Sequence, residues 1–216
     1  MNKAIVFMYL AIIMLMSFSA CGQKYDDESL FRIDLIEGGK AVRITEYVGN
    51  SQTVRIPPRI QKLPVKEIGR SAFEDEQIVL VTIPRTVTNI GENAFAQNRL
   101  VNIDLPKNVT NISYGAFRDN KITSVNLPKS IITIGAEAFS GNEFTTVYIP
   151  RSVTKIGEHA FTVEILYTIT IGANVEVGVS RWWSSVWDSF AEAYIANNLA
   201  GGTYVFENNR WVLSKI

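Results

Sequence analysis

Reactive side chains are nearly missing from this sequence. In 216 residues there is one cysteine, Cys21, and one histidine, His159. A lone thiol has no disulfide partner, and no Cys-x-x-Cys or His-x-x-x-His spacing marks a zinc site. Asp-rich calcium loops, glycine-rich phosphate loops and nucleophile–base sets are absent too, so no catalytic residue, metal or cofactor is expected. His159 falls where matching segments carry Ser71, Asn93, Gly115 or Glu137, and reads as a solvent-facing filler. Net charge is missing as well: Lys+Arg and Asp+Glu stand at 21 each. Bulk attraction to nucleic acid or to a membrane surface is therefore not expected. With 47% hydrophobic residues the chain still has material for a sizeable core.

Long apolar runs are confined to one place. Lys3 precedes an apolar run over residues 4–16, and small residues lead from Ser17 to Cys21. That is the order of a secretory signal peptide, and the run is too short for a membrane span. Phe18-Ser19-Ala20-Cys21 resembles the lipobox of bacterial lipoproteins, with Phe18 in place of the usual Leu. The resemblance implies cleavage after residue 20 and acylation of Cys21. Several acyl chains anchor stably where one binds only marginally. Residues 21–30 are polar and acidic and read as a flexible tether.

The rest of the chain repeats itself every 22 residues. Ile68, Ile90, Ile112, Ile134 and Ile156 are in register, as are Phe73, Phe95, Phe117, Phe139 and Phe161, each Phe preceded by Ala. Pro84, Pro106, Pro128 and Pro150 follow the same step, with Gly172 in the fifth slot. Within a unit, Leu100, Ile103 and Leu105 alternate with polar residues as in a short half-buried strand, and Pro106 ends it by removing a backbone donor. Val109 and Ile112 point back inward, and Gly-x-x-Ala-Phe suits one tight helical turn. Asn98, Asn120 and Asn142 recur just before the strand, where a buried amide can bond the backbone of its own and neighbouring turns. A unit this small cannot bury its apolar side alone, so stacking must supply the stability.

These residues resemble the BspA-like, or Treponema pallidum-type, leucine-rich repeats, with units of L-x-x-[VI]-x-[LI]-P…[VI]-x-x-I-G-x-x-A-F. The match is close over residues 68–177, departing at Ser113, at Gly172 and over 162–165. The resemblance implies an α/β leucine-rich-repeat solenoid of about five coils with a parallel sheet on one side, capped at both ends. The chain then divides into a signal peptide (1–20), tether (21–30), N-terminal cap (31–67), repeats (68–177) and C-terminal cap (178–216). In the last segment Trp183, Trp187, Phe190 and Tyr194 share one helical face, and Asn208-Asn209 marks a hairpin turn. Those aromatics read as a lid over the last coil rather than a sugar-stacking platform; Trp182 lies off that face.

Function must then lie in surface columns. Asn102, Ser124 and Thr146 form one outward column with Leu80 and Thr168, and Asp104, Asn126 and Tyr148 another with Thr82 and Thr170. Arg85, Lys107, Lys129 and Arg151 place one cation after each Pro, a ladder at strand spacing of about 4.8 Å. Such columns suit a protein or glycan ligand, acidic in the case of the ladder; without aromatics along it, nucleic acid is not expected. The family resemblance implies a non-enzymatic binding module, exported and lipid-anchored in the bacterial outer membrane or on the cell surface, acting in adhesion or recognition. An envelope scaffold that binds bacterial components is the alternative.

Overall fold

The computed structural model describes residues 25–163, 165–180 and 185–214. Cys21, Trp182 and Trp183 lie outside them. A single turn at Glu28–Leu30 leads into the antiparallel pair β1 (Phe31–Ile36) and β2 (Ala41–Tyr47), then β3 (Thr53–Arg55), β4 (Arg59–Ile60) and β5 (Leu63–Ile68). Each following coil supplies two short strands: β6 (Leu80–Thr82) and β7 (Asn89–Ile90), β8 (Asn102–Asp104) and β9 (Asn111–Ile112), β10 (Ser124–Asn126) and β11 (Thr133–Ile134). The series continues with β12 (Thr146–Tyr148) and β13 (Lys155–Ile156), then β14 (Thr168–Ile171) and β15 (Glu176–Val177). Helix α1 (Val186–Ala196) and the hairpin β16 (Gly202–Glu207) and β17 (Arg210–Leu213) close the chain.

The expected parallel solenoid is present, but its longest sheet is not built from the Leu-x-x-Ile-x-Leu strands. A nine-stranded sheet runs β1-β2-β5-β7-β9-β11-β13-β15, with β4 on β5, and is parallel from β2 onward. Its strands carry the Ile68–Ile156 column. The three- and four-residue strands pair on the other side in shorter groups: β3 with β6, β8 with β10, and β12 with β14. The sheet expected on one side is thus accompanied by a second, narrower one. Two residues, one of them buried, were enough to form a ladder strand, because stacking repeats the same bond at every level.

A third set of bonds joins the coils at the Gly-x-x-Ala-Phe corner, which is a hydrogen-bonded turn and not a helix. Phe73, Phe95, Phe117 and Phe139 each donate their N–H to the Ala carbonyl of the next coil at 2.8–2.9 Å. The corner needs left-handed backbone at a fixed place. Ser71, Asn93, Gly115, Glu137 and His159 all have φ between 51° and 57°. This explains why that column varies so freely in side chain: its constraint is a dihedral angle, which small and polar residues meet most easily. At Gly115 there is a second demand, since an added Cβ would collide with Asn93 Oδ1.

The Phe rings stack down the centre at centroid distances of 4.9, 5.4, 5.3 and 5.2 Å from Phe73 to Phe161. Both ends extend the column. Tyr47 stacks on Phe73 at 5.5 Å and its N–H bonds Ala72 O, as a Phe of the repeat would. Trp187 closes the other end 5.4 Å from Phe161. Burying each ring is worth roughly 1.5–3 kcal/mol, so this column carries much of the core. Between coils run the buried asparagines. Asn98, Asn120 and Asn142 accept from Ile78, Leu100 and Ile122 N at 2.9–3.0 Å, and donate to the Phe carbonyl of the preceding coil at 2.6–2.9 Å.

The last coil is one residue short. Lys155 meets Glu176, 21 residues on, where Ser124 meets Asn102 at 22. The slip coincides with the change to a cap. Trp187, Phe190 and Tyr194 on α1 are buried, and Tyr194 Oη donates to Gly172 O at 2.8 Å while accepting from Val175 N at 3.0 Å. Burial pushes the Tyr194 phenol above its ordinary range. Ser185 and Asp188 form a capping box at the start of α1. Asp188, only 3% exposed, lies with Oδ2 3.4 Å from His159 Nδ1. His159, 19% exposed at its side chain, is therefore not the solvent-facing filler expected; the cap helix covers it. The hairpin turns at Asn208 and Asn209, both with positive φ, and β16 pairs with β14, closing the edge of the shorter ladder.

Candidate ligand-binding face

Side chains that the coils do not need gather on one face. On β8, β10 and β12 the residues flanking each inward centre point out: Asn102, Asp104, Ser124, Asn126, Thr146 and Tyr148 are all exposed. The register sets Ser124 beside Asn102 and Asn126 beside Asp104, and Ser124 Oγ donates to Asn102 Oδ1 at 3.2 Å. Toward the ends the same columns close up. Leu80 and Thr82 on β6 are half-buried beside β3. Thr168 and Thr170 are half-buried under the hairpin, where Thr170 Oγ1 lies 2.9 Å from Thr203 Oγ1. The open face is thus three coils wide. Tyr148 is its one large ring, 60% exposed.

Arg85, Lys107, Lys129 and Arg151 are all exposed at the corner after each strand. Among the described residues, none of the four has a carboxylate within ion-pair distance. Elsewhere cations pair from coil to coil: Arg70 with Glu92 at 3.7 Å, Lys121 with Glu143 at 3.4 Å, Lys155 with Glu176 at 2.7 Å. The ladder breaks that habit by repeating one sign.

The structure joins the two kinds of column. A groove of about 980 Å³ is lined by Asp104, Asn126 and Tyr148 from the strands and by Lys107, Lys129 and Arg151 from the corners. Tyr148 and Arg151 also line an adjoining depression of about 650 Å³, which continues over Gly172, Ala173, Gly201 and Thr203. Arg85, Asn102, Ser124 and Thr146 lie outside both linings. Sequence columns identified the first groove's residues separately; nothing in the period placed Gly201 and Thr203 beside Tyr148, because the hairpin reaches them by folding back. A further depression of about 860 Å³ holds Lys121 and Glu143, already bonded to each other. Among the described residues no group of His, Cys, Asp and Glu could hold a metal ion, and no helix is long and apolar enough to cross a membrane.

Stacked coils with strand, Pro corner, Ile ladder and central Phe column define a leucine-rich-repeat protein. Residues 66–182 match the BspA type leucine-rich repeat region in six copies, and the chain belongs to that family. The family count is one more than the expected five, in keeping with the six ladder strands from β5 to β15. Among solved structures, the chain is similar to a leucine-rich repeat protein of T. pallidum, with 23% identity and a TM-score of 0.67 over 81% of this chain and 95% of that one. It is also similar to a leucine-rich repeat protein from Bacteroides ovatus, with 29% identity and a TM-score of 0.56 over 69% of this chain. It spans 41% of the length of that protein. Among curated proteins, no sequence matches the chain.

Proposed function

We propose that this chain is a non-enzymatic binding module of the bacterial cell surface, exported and held by a lipid anchor at Cys21, which recognises protein or glycan ligands. The observation that supports it most is the open face of three coils. Six exposed side chains stand there on three successive coils, beside cations that have no carboxylate within ion-pair distance among the described residues. Packing accounts for none of them, whereas it accounts for nearly every other constant position. Membership of a repeat family built for extended surfaces agrees with this reading. Recognition draws on side chains set along successive coils, the extended surface that a solenoid offers.

Protease treatment of intact cells tests exposure at the surface. The chain should be cleaved without breach of the envelope; resistance until lysis supports an internal scaffold instead. In parallel, purified chain should bind host or bacterial surfaces, and Asn126→Ala with Tyr148→Ala should reduce that binding. Equal binding by the variant would move recognition off this face.

A further inference from the structure

We propose that the continuous groove from Lys107 to Thr203 takes a linear anionic polysaccharide, with carboxylate or sulfate groups on Lys107, Lys129 and Arg151 and one sugar ring on Tyr148. This rests on the binding-module reading and names the ligand class. Like charges on adjacent coils repel, and here the same sign recurs at the turn after each strand, at a coil spacing of about 4.8 Å. Other columns of this solenoid relieve such charge with a partner one coil away, as Lys155 does with Glu176. Among the described residues the groove cations have no ion-pair partner, and the one carboxylate in the lining, Asp104, forms no ion pair with them. Their neutralising charge is therefore assigned to the ligand.

The groove crosses successive coils and so runs along the stack, matching a polymer whose anions recur at the rise of a sugar unit. Its other lining residues fit a chain that also carries hydroxyls. Asp104 accepts hydrogen bonds, and Asn126, Thr170 and Thr203 both donate and accept. Past Arg151 the cations stop. Gly172, Ala173 and Gly201 leave a low neutral floor, and the exposed Tyr148 ring stands between the two halves. A ring with an apolar face and a polar tip suits a sugar's C–H face.

Two other occupants fit less well. An acidic peptide bound by strand addition needs an open edge beside the groove, and there β14 is already paired to β12 and β16. Single-stranded nucleic acid is held by successive stacked bases, and this groove offers one exposed ring.

The test uses the full chain with dextran sulfate, polygalacturonate, neutral dextran, polyglutamate and single-stranded DNA in affinity electrophoresis. At least one of the two anionic polysaccharides should bind, and neutral dextran should not. Lys107→Glu with Lys129→Glu should weaken that binding roughly tenfold or more and flatten its salt dependence. Tyr148→Ala should weaken it roughly tenfold with the salt slope unchanged, which a purely electrostatic contact would not show. A control pair with the same charge change outside the groove, Lys40→Glu with Lys62→Glu, should leave it intact. Melting curves verify that each variant is folded. Equal loss in the control pair, or tighter binding of polyglutamate or DNA than of either polysaccharide, overturns the proposal. Failure to bind either polysaccharide while the chain still binds cell surfaces also overturns it, and leaves the module reading standing.

Discussion

Asn120 offers the sharpest test of what holds the coils together. It is 3% exposed. Its Oδ1 accepts from Leu100 N at 3.0 Å, and its Nδ2 donates to Phe95 O at 2.9 Å and to Phe117 O and Arg118 O at 3.2 Å. In Asn120→Ala the three carbonyls are not stranded: Arg118 O keeps Gln97 N–H at 2.8 Å. Phe95 O keeps Asn98 Nδ2 at 3.2 Å, and Phe117 O keeps Asn142 Nδ2 at 2.9 Å. Among the described residues Leu100 N–H has no second acceptor. One orphaned buried donor costs about 1–3 kcal/mol, and the vacated amide adds a small cavity, so the substitution should cost about 2–4 kcal/mol. That is a large share of a typical stability of about 5–15 kcal/mol. Urea unfolding followed by far-ultraviolet circular dichroism reads it directly. A lowered slope along with the lowered midpoint would show the stack parting at that level.

Asn120→Asp supplies a control with its own signature. It keeps the acceptor for Leu100 N–H but turns a carboxylate toward carbonyl oxygens, so its folded pKa lies above the unfolded value of about 3.9. The charge penalty is absent below that pH and grows as pH rises through and above it. The stability gap between wild type and Asn120→Asp should therefore be smallest below about pH 4 and widen toward neutrality. A cost for Asn120→Ala within about 0.5 kcal/mol of zero would refute the account, since it would mean that solvent satisfies Leu100 N–H.

Two further predictions concern the corner and the cap. Gly115→Ala should cost about 1–3 kcal/mol in thermal or urea unfolding, from a φ of 57° and the collision with Asn93 Oδ1; adding Asn93→Ala should recover the collision part but not the dihedral part, and full recovery would remove φ from the argument. Asp188→Ala should cost about 1–3 kcal/mol, because Asp188 accepts from Ser180 N and Ser185 N, each at 3.1 Å, and from Ser185 Oγ at 2.7 Å. Hydrogen exchange should localise that loss to α1 and the last coil, and uniform loss across all coils would show that the cap is not a separable unit.

Much of this molecule was readable before any coordinates, because a repeat states its constraints several times over. Period 22, the buried Ile and Phe columns, the Pro corner and the asparagine glue follow from which positions stay constant, since every coil faces the same packing problem. What stayed hidden lies where the repetition stops. Tyr47 extends the Phe column from a segment with no repeat signature, and only its contact with Phe73 reveals the role; Trp187 was readable as part of a lid, but not its place on Phe161. His159 looked exposed because its column is variable; variability there reflects a backbone angle, and the covering Asp188 comes from elsewhere in the chain.

The candidate site divides the same way. Sequence alone determined which side chains face out over the middle coils, because alternation in a strand decides it; at the ends only the structure shows Leu80, Thr82, Thr168 and Thr170 half-buried. Tertiary structure alone decided that Asp104, Asn126 and Tyr148 share a groove with Lys107, Lys129 and Arg151, and that Gly201 and Thr203 prolong it. The reason is geometric. A period orders residues along the stack, but a groove depends on how strand, corner and hairpin meet across it.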